Sequence, residues 1–340
     1  MTTMSGSSIR CGIVLAGGEG KRLQPFISRF RKEVLPKQYV NFIGTRSMLE
    51  HTLDRAEKLI PRHLIFTVVG RNHLDHAEVQ RQLSSRPRGT VIVQPENKDT
   101  LPGILLPLMH LYRRYPESSV VVFPSDHFIA EEDEDLFMLY VARAFRAVES
   151  DPSQLVLLGV EPDRPEPEYG YILADGREHR LESLGIRRVN SFVEKPDPSV
   201  ARELIQQGGL WNTMVVIFRT KTLVDLVQVM VPKLYKTFHG ILEAIGTVHL
   251  RDRVERAYEH MDPMNFSTSI LQGLRPGHPW HLSVLPMREV LWSDWGSPHR
   301  VANSLKKNGY IPRLHGASDG QLLGTWDAWE ARLLSDLRLS

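Results

Sequence analysis

The stretch that decides the fold runs from residue 13 to residue 37, IVLAGGEGKRLQPFISRFRKEVLPK. An apolar strand, Ile13 to Leu15, feeds a glycine-rich turn with Gly17, Gly18 and Gly20. Lys21 and Arg22 follow at once, and Pro36-Lys37 brings a further cation after a short gap. Glycines let backbone N–H groups approach an anion with no Cβ in the way. Cations directly behind them neutralise phosphate charge. The run predicts a strand end that holds a nucleoside triphosphate by its phosphates.

Two familiar glycine patterns fit less well. A dinucleotide fold spaces its glycines as GxGxxG, with an acidic residue about 20 positions on. Here the spacing is GGxGxR, and Asp54 comes late. A P-loop needs GxxxxGK followed by Ser or Thr, and Gly20-Lys21-Arg22 does not supply it.

Outward from this turn, short apolar strands alternate with helical patterns. Strands are expected at 12–15, 63–69, 90–94 and 120–123. Helices are expected at 47–60, 104–112 and 136–148. The first opens with Ser47 and Glu50 at capping-box spacing, and Leu49, Leu53, Ala56 and Ile60 then share a face. The acidic run 131–135 reads as a helix N-terminus. This alternation predicts an α/β fold with a mixed, mostly parallel sheet flanked by helices. Ligands of such sheets sit at the carboxyl ends of the strands. The glycine turn and Ser125-Asp126 both fall there.

The second half is richer in strands, expected at 154–160, 169–173, 186–193, 211–218 and 281–286. Helical segments are expected over 223–260 and 298–307, with a turn at 292–296. The proline-rich run 161–168 reads as an exposed excursion. One catalytic domain over 1–308 and a C-terminal helical tail over 309–340 that packs on it account for the chain. Trp326, Trp329, Leu333 and Leu337 would anchor the tail.

Composition bounds the partners. The chain has 340 residues, 41% of them hydrophobic, so it can bury a large core. A formal charge of +2 gives no ground for a nucleic-acid partner. No apolar run is long enough to span a bilayer, so no membrane insertion is expected. The lone cysteine, Cys11, opens an apolar strand and reads as a buried thiol in a reducing cytoplasm.

Seven motifs in order resemble the sugar-1-phosphate nucleotidyltransferase family. LAGGEGKRLQP with the following RKEVLPKQY is most similar to the mannose-1-phosphate guanylyltransferase branch. Gln94-Pro95 through Thr100, Phe123 to His127, Glu168 to Ile172, Phe192 to Pro196, Trp211 to Thr213 and Trp292 to Ser297 resemble its later segments. The agreement runs from residue 12 to about residue 308. It implies a Rossmann-like fold of the GT-A type. It also implies that a sugar-1-phosphate oxygen attacks the α-phosphorus of a nucleoside triphosphate, and pyrophosphate leaves. Both reactants are anions, so the protein must suppress repulsion and align them. A phosphate oxygen needs no general base.

The resemblance assigns roles. Arg22, Lys37 and Asp126 are catalytic. Leu15, Ala16, Gly17, Gly18, Gly20, Lys21, Gln94 and Thr100 bind the nucleotide, with Arg31 and Lys32 as weaker cation candidates. Gly170, Tyr171, Glu194, Lys195 and Asn212 bind the sugar phosphate. Asp126 and Asp294 hold Mg²⁺, whose hard-oxygen preference suits carboxylates. His127 orients or packs rather than acting as a base. GTP and mannose 1-phosphate are the expected substrates, with glucose 1-phosphate and dTTP or UTP as the alternative. Homo-oligomerisation stays open.

Some positions depart from the family pattern. Met214 stands where a glycine is usual, Lys98-Asp99 replaces Arg-Asn, and NFSTSIL follows Met264. These changes cluster on the sugar side. Gln94 stands where a glutamate is frequent, which leaves the base open. A non-catalytic binder on the same fold is the competing reading; it has no chemical need to keep Arg22, Lys37, Asp126 and Asp294 together. A nicotinamide oxidoreductase is disfavoured by the glycine spacing.

Overall fold

The computed structural model describes residues 8–28, 35–175 and 184–307. Strand β1 (Arg10–Ala16) leads through the short helix α1 (Gln24–Ile27) to α2 (Met48–Glu57) and β2 (Ile65–Gly70). Helix α3 (Ala77–Leu83), β3 (Val91–Gln94), α4 (Thr100–Arg114), β4 (Ser119–Pro124) and β5 (Phe128–Ile129) follow. Then come α5 (Glu134–Ser150), β6 (Gln154–Val160), β7 (Gly170–Ala174), β8 (Arg187–Glu194), α6 (Pro198–Gln206) and β9 (Leu210–Arg219). The last described part holds α7 (Thr220–Met230), α8 (Pro232–Ala244), α9 (Leu250–His260), α10 (Phe266–Ser269), β10 (His281–Met287), β11 (Trp292–Ser293) and α11 (Pro298–Lys307).

Nine strands form one sheet in the order β3-β2-β1-β4-β9-β6-β10-β8-β7. The parallel pairs are β1 with β2, β1 with β4, β2 with β3 and β6 with β10. Strand β9 runs antiparallel to β4, β6 and β7, and β8 runs antiparallel to β10 and β7. Seven of the nine strands therefore point one way, and only β8 and β9 oppose them. The mixed, mostly parallel expectation holds.

Every residue of β4 and of β6 is buried, so both faces of the sheet are covered. Helices α2 and α5 pack together against it, and α4 packs on β1 and β2 beneath α7 and α8. The capping box at α2 is present: Ser47 Oγ accepts from Glu50 N, and Glu50 returns the bond to Ser47 N. Cys11 is fully buried, and burial pushes its thiol up to about 11.

Three expectations need correction. The helix expected at 104–112 begins at Thr100, because Asp99 caps it and Pro102 sits in the first turn, where its missing N–H has no intrahelical role. The turn at 292–296 contains β11, which pairs with β5 as a separate two-stranded ladder. The helical segments expected over 223–260 are three helices, broken after Met230 ahead of Pro232 and again around Gly246. The expected tail, 309–340, lies outside the described residues, as do Arg31 and Lys32.

Candidate active site

The glycine turn leaves β1 at the carboxyl end of the sheet. Gly20 has φ 60°, and a Cβ there would sit 2.9 Å from Lys37 N. A Cβ on Gly17 would lie 2.3 Å from Gln94 Nε2, whereas Gly18 faces open space. The carbonyls of the turn are tied inward. Gln38 Nε2 donates to Ala16 O at 2.9 Å and to Gly18 O at 2.7 Å, and the Tyr39 hydroxyl donates to Ala16 O at 3.0 Å. Backbone glycine geometry and the PKQY segment thus build one floor.

A cleft of about 500 Å³ opens beside this turn, lined by Leu15, Gly17, Gly18, Gln94, Thr100 and Pro263 among others. Gln94 is 2% exposed. Its Nε2 donates to Gly17 O at 3.4 Å, while its Oε1 is buried with no hydrogen-bond partner among the described residues. That oxygen is a standing acceptor. Thr100 opens α4, and its Oγ1 accepts from Phe266 N at 2.8 Å. The 264–269 segment thereby docks on the cleft.

The residues expected to be catalytic lie where β4 and β11 finish. Pairing of Ser293 with Phe128 and of Trp292 with Ile129 brings Asp294 beside the Asp126-His127 turn. Lys37 reaches both: Nζ lies 2.9 Å from Asp126 Oδ2 and donates to Asp294 O at 2.5 Å. Lys37 is 4% exposed, so its charge is committed to this point. Burial alone would push the Asp126 carboxyl up, but Lys37 and His127 hold it below the usual carboxylate range. Burial keeps His127 below the ordinary histidine range, and its ring packs edge-on against Trp292. That fits the packing role.

Asp294 faces the other way. Its Oδ1 accepts from the Tyr169 hydroxyl at 2.6 Å and from Gly296 N at 3.0 Å, and lies 3.3 Å from Arg300 Nε. A Cβ on Gly296 would sit 2.5 Å from Asp294 Oδ2 and 3.1 Å from Arg22 Nη2. Arg22 and Asp294 therefore flank Gly296, whose missing side chain leaves the space between them open. Arg22 pairs with Glu168 Oε2 at 2.5 Å and is 60% exposed.

The residues expected on the sugar side form a second cluster at the ends of β7, β8 and β9. A Cβ on Gly170 would lie 2.7 Å from Glu194 Oε2 and 3.4 Å from Asn212 Cβ. Burial pushes the Glu194 carboxyl up, partly offset by Lys195. Lys195 Nζ lies 4.0 Å from Glu194 Oε1, and its backbone N donates to Tyr169 O. Asn212 Oδ1 accepts from Met214 N at 3.1 Å. Met214 has φ 58°, and its Sδ lies 3.5 Å from Ser267 Oγ. Tyr171 is a correction: it is fully buried, its hydroxyl accepts from Glu166 N, and it cannot touch a sugar.

Sequence reasoning missed Arg300. This side chain is 5% exposed and lies among Glu166 Oε2 at 3.1 Å, Glu168 Oε2 at 2.6 Å and Asp294. Its guanidinium also stacks 5.0 Å over the Tyr169 ring. The signal was available as an arginine on a helix directly after a glycine turn that carries a candidate carboxylate. The excursion 161–168 is largely exposed as expected, yet its Glu168 and Glu166 brace this cation.

A sequence profile of the nucleotidyl transferase family matches residues 11–305. The alginate biosynthesis protein AlgA of Pseudomonas syringae pv. tomato is 30% identical over 66% of this chain and 44% of its own length. A mannose-1-phosphate guanylyltransferase of Salmonella muenchen is 27% identical over 89% of this chain and 61% of its own length. The chain thus spans about half the length of the curated relatives it matches. A crystal structure of a Thermus thermophilus protein described as a mannose-1-phosphate geranyltransferase superimposes with TM-score 0.69 and 26% identity, covering 84% of this chain and 76% of that one.

Proposed function

Because the chain belongs to the nucleotidyl transferase family, we propose that it transfers a nucleoside monophosphate from a nucleoside triphosphate to a sugar 1-phosphate, releasing pyrophosphate. The proposed pair is GTP and mannose 1-phosphate. The reading rests on the convergence of Arg22, Lys37, Asp126 and Asp294 at the carboxyl end of the sheet, with one buried lysine touching both carboxylate-bearing turns.

In this mechanism an oxygen of the sugar phosphate forms a bond to the α-phosphorus as the bond to the pyrophosphate oxygen breaks. The glycine turn and Arg22 hold the triphosphate, the arginine through its two-pronged fork. Lys37 fixes Asp126 and adds positive charge where the phosphates meet. Glu194 and Asn212 accept or donate bonds to ring hydroxyls, and Lys195 offsets the sugar phosphate charge. Gln94 Oε1 takes an N–H of the base, a role guanine's donors suit. The lone thiol supports work in a reducing cytoplasm.

Mg²⁺ would be held by Asp126, whose side chain is 41% exposed, and by Asp294 Oδ2, since Asp294 Oδ1 is engaged by Tyr169 and Gly296; such an ion takes one or two carboxylates plus substrate phosphates rather than a dedicated protein cage. Among the described residues no group of three or more His, Cys, Asp or Glu forms such a cage. When bound, the ion supplies charge neutralisation at the phosphate oxygens.

Met214 stands beside the proposed sugar site but does not separate the epimers mannose and glucose. A methionine with positive φ, in contact with Ser267 beside Glu194, narrows the space for a hexose. Glucose 1-phosphate with dTTP or UTP is the alternative pair. Pyrophosphate release measured over a matrix of nucleoside triphosphates and sugar 1-phosphates tests both. Release with none of the pairs sinks the proposal, and release only with glucose 1-phosphate replaces the first reading by the second.

A further inference from the structure

Helices α8 and α9 pack together, and each turns a matching stripe to the groove between them. On α8 the stripe is Lys233, Lys236, Thr237 and Gly240; on α9 it is Arg253, Arg256, Ala257 and His260. Both follow the spacing i, i+3, i+4, i+7 of one helical face. Like charges so placed repel one another and destabilise their helices. Among the described residues, none of these four lysines and arginines makes an ion pair. Of the acids on the same helices, Glu255 pairs with Arg71, Glu243 with His239 and Glu259 lies beside His260, while Asp252 stays outside the groove lining. One carboxylate, Asp262, does line the groove. Four cations against one anion leave an excess of three positive charges over about 360 Å³. The floor is apolar, made by Leu234, Ala257 and Met261.

We propose that this groove is a second binding site, for a small phosphate ester whose carbon body lies on the apolar floor. The cations neutralise its phosphate, and the anion in turn removes the repulsion between facing stripes. The site is separate from the nucleotide cleft but joined to it. Asp262 and Met264 line the groove, while Pro263 between them lines the cleft. Met264 also exchanges backbone bonds with the cleft loop, donating to Lys98 O and accepting from Leu101 N. An occupant of the groove therefore shifts the nucleotide's affinity through this strap, and the nucleotide shifts the occupant's by the same factor. The binding claim does not depend on the reaction proposed above.

Phenyl phosphate and inorganic phosphate are the probes, titrated calorimetrically against the full chain, Arg22→Ala and the double variant Lys236→Glu/Arg256→Glu. The substituted groove residues are exposed, so the variant is expected to fold, and circular dichroism checks it. Phenyl phosphate is expected to bind the full chain and Arg22→Ala alike, and to lose at least about tenfold in the double variant. It is also expected to bind more tightly than inorganic phosphate, and to change the nucleotide's dissociation constant in the full chain but not in the double variant. Equal affinity for the double variant, or loss in Arg22→Ala, overturns the site. Equal affinity for the two probes overturns the carbon-body assignment, and an unmoved nucleotide constant overturns the coupling.

Discussion

Replacing Lys37 by methionine keeps the length of the side chain and deletes its charge. The structure sets the size of the effect. Lys37 Nζ lies 2.9 Å from Asp126 Oδ2 and donates to the carbonyl of Asp294. Removing one partner of a fully buried pair costs about 3–5 kcal/mol. The Asp126 side chain is 41% exposed, so water takes over part of the lost interaction. The two carbonyls at Asp294 and Trp295 lose a charged donor, worth about 1.5–3 kcal/mol for such a bond. A loss of roughly 2 kcal/mol follows once solvent screening is applied. With a urea slope of about 3 kcal/mol/M, the unfolding midpoint falls by about 0.7 M.

The same variant reports on Asp126. Its carboxyl is depressed below the ordinary aspartate value of 3.8 in the folded protein. Stability from such a group is full above the unfolded value and is lost as pH falls through the folded one. Without Lys37 the desolvation that already opposes ionisation dominates, and the carboxyl moves up. The acid limb of the rate profile must then shift to higher pH, whereas in the stability profile Asp126 ceases to contribute an acid loss and instead costs stability above its unfolded value. Urea unfolding at a series of pH values, with pyrophosphate release alongside, measures both. A midpoint within about 0.2 M of the parent, with an unmoved acid limb, refutes the reasoning that Lys37 organises the two turns.

Arg22→Lys should lower kcat/KM by about two orders of magnitude, since lysine lacks the fork. Because Arg22 is 60% exposed, its unfolding midpoint should stay at the parent value, and a large drop would make the residue structural. Met214→Gly should relieve a positive-φ strain of about 1–2 kcal/mol and widen the sugar pocket; an unchanged sugar profile would mean the thioether points away from the substrate. Glu194→Gln should raise stability at neutral pH by roughly 1 kcal/mol, because burial disfavours the ionised form, and should raise KM for the sugar phosphate. The parent's share of that penalty grows as pH rises past the unfolded value near 4.5, so equal stabilities of parent and variant across pH 4 to 8 would refute the burial argument.

The strand ends and the glycine turn were legible because local chemistry decides them. β6 and α11 fall where the apolar pattern ended them, and the Ser47–Glu50 pair caps α2 as its spacing requires. What stayed hidden depends on contacts across long separations. Arg300 is a surface-type residue on a helix stripe until β11 pairs with β5 and turns Asp294 toward it. Tyr171 in β7 is sealed against Glu166 while Tyr169 just before it binds Asp294, a difference that the strand pattern alone does not reveal. Pro102 masked the start of α4, since a proline early in a helix reads as a break until the cap at Asp99 is seen.

The reach of Lys37 to carbonyls 257 positions further along the chain ties early synthesis to late. A nascent chain ending near residue 290 already owns the glycine turn, Asp126 and most of the sheet. It lacks the carbonyls that seat the ammonium group and the ladder that presses His127 against Trp292. Completion of this site therefore waits on one long-range pairing, β11 with β5, some of the last described chain to be made.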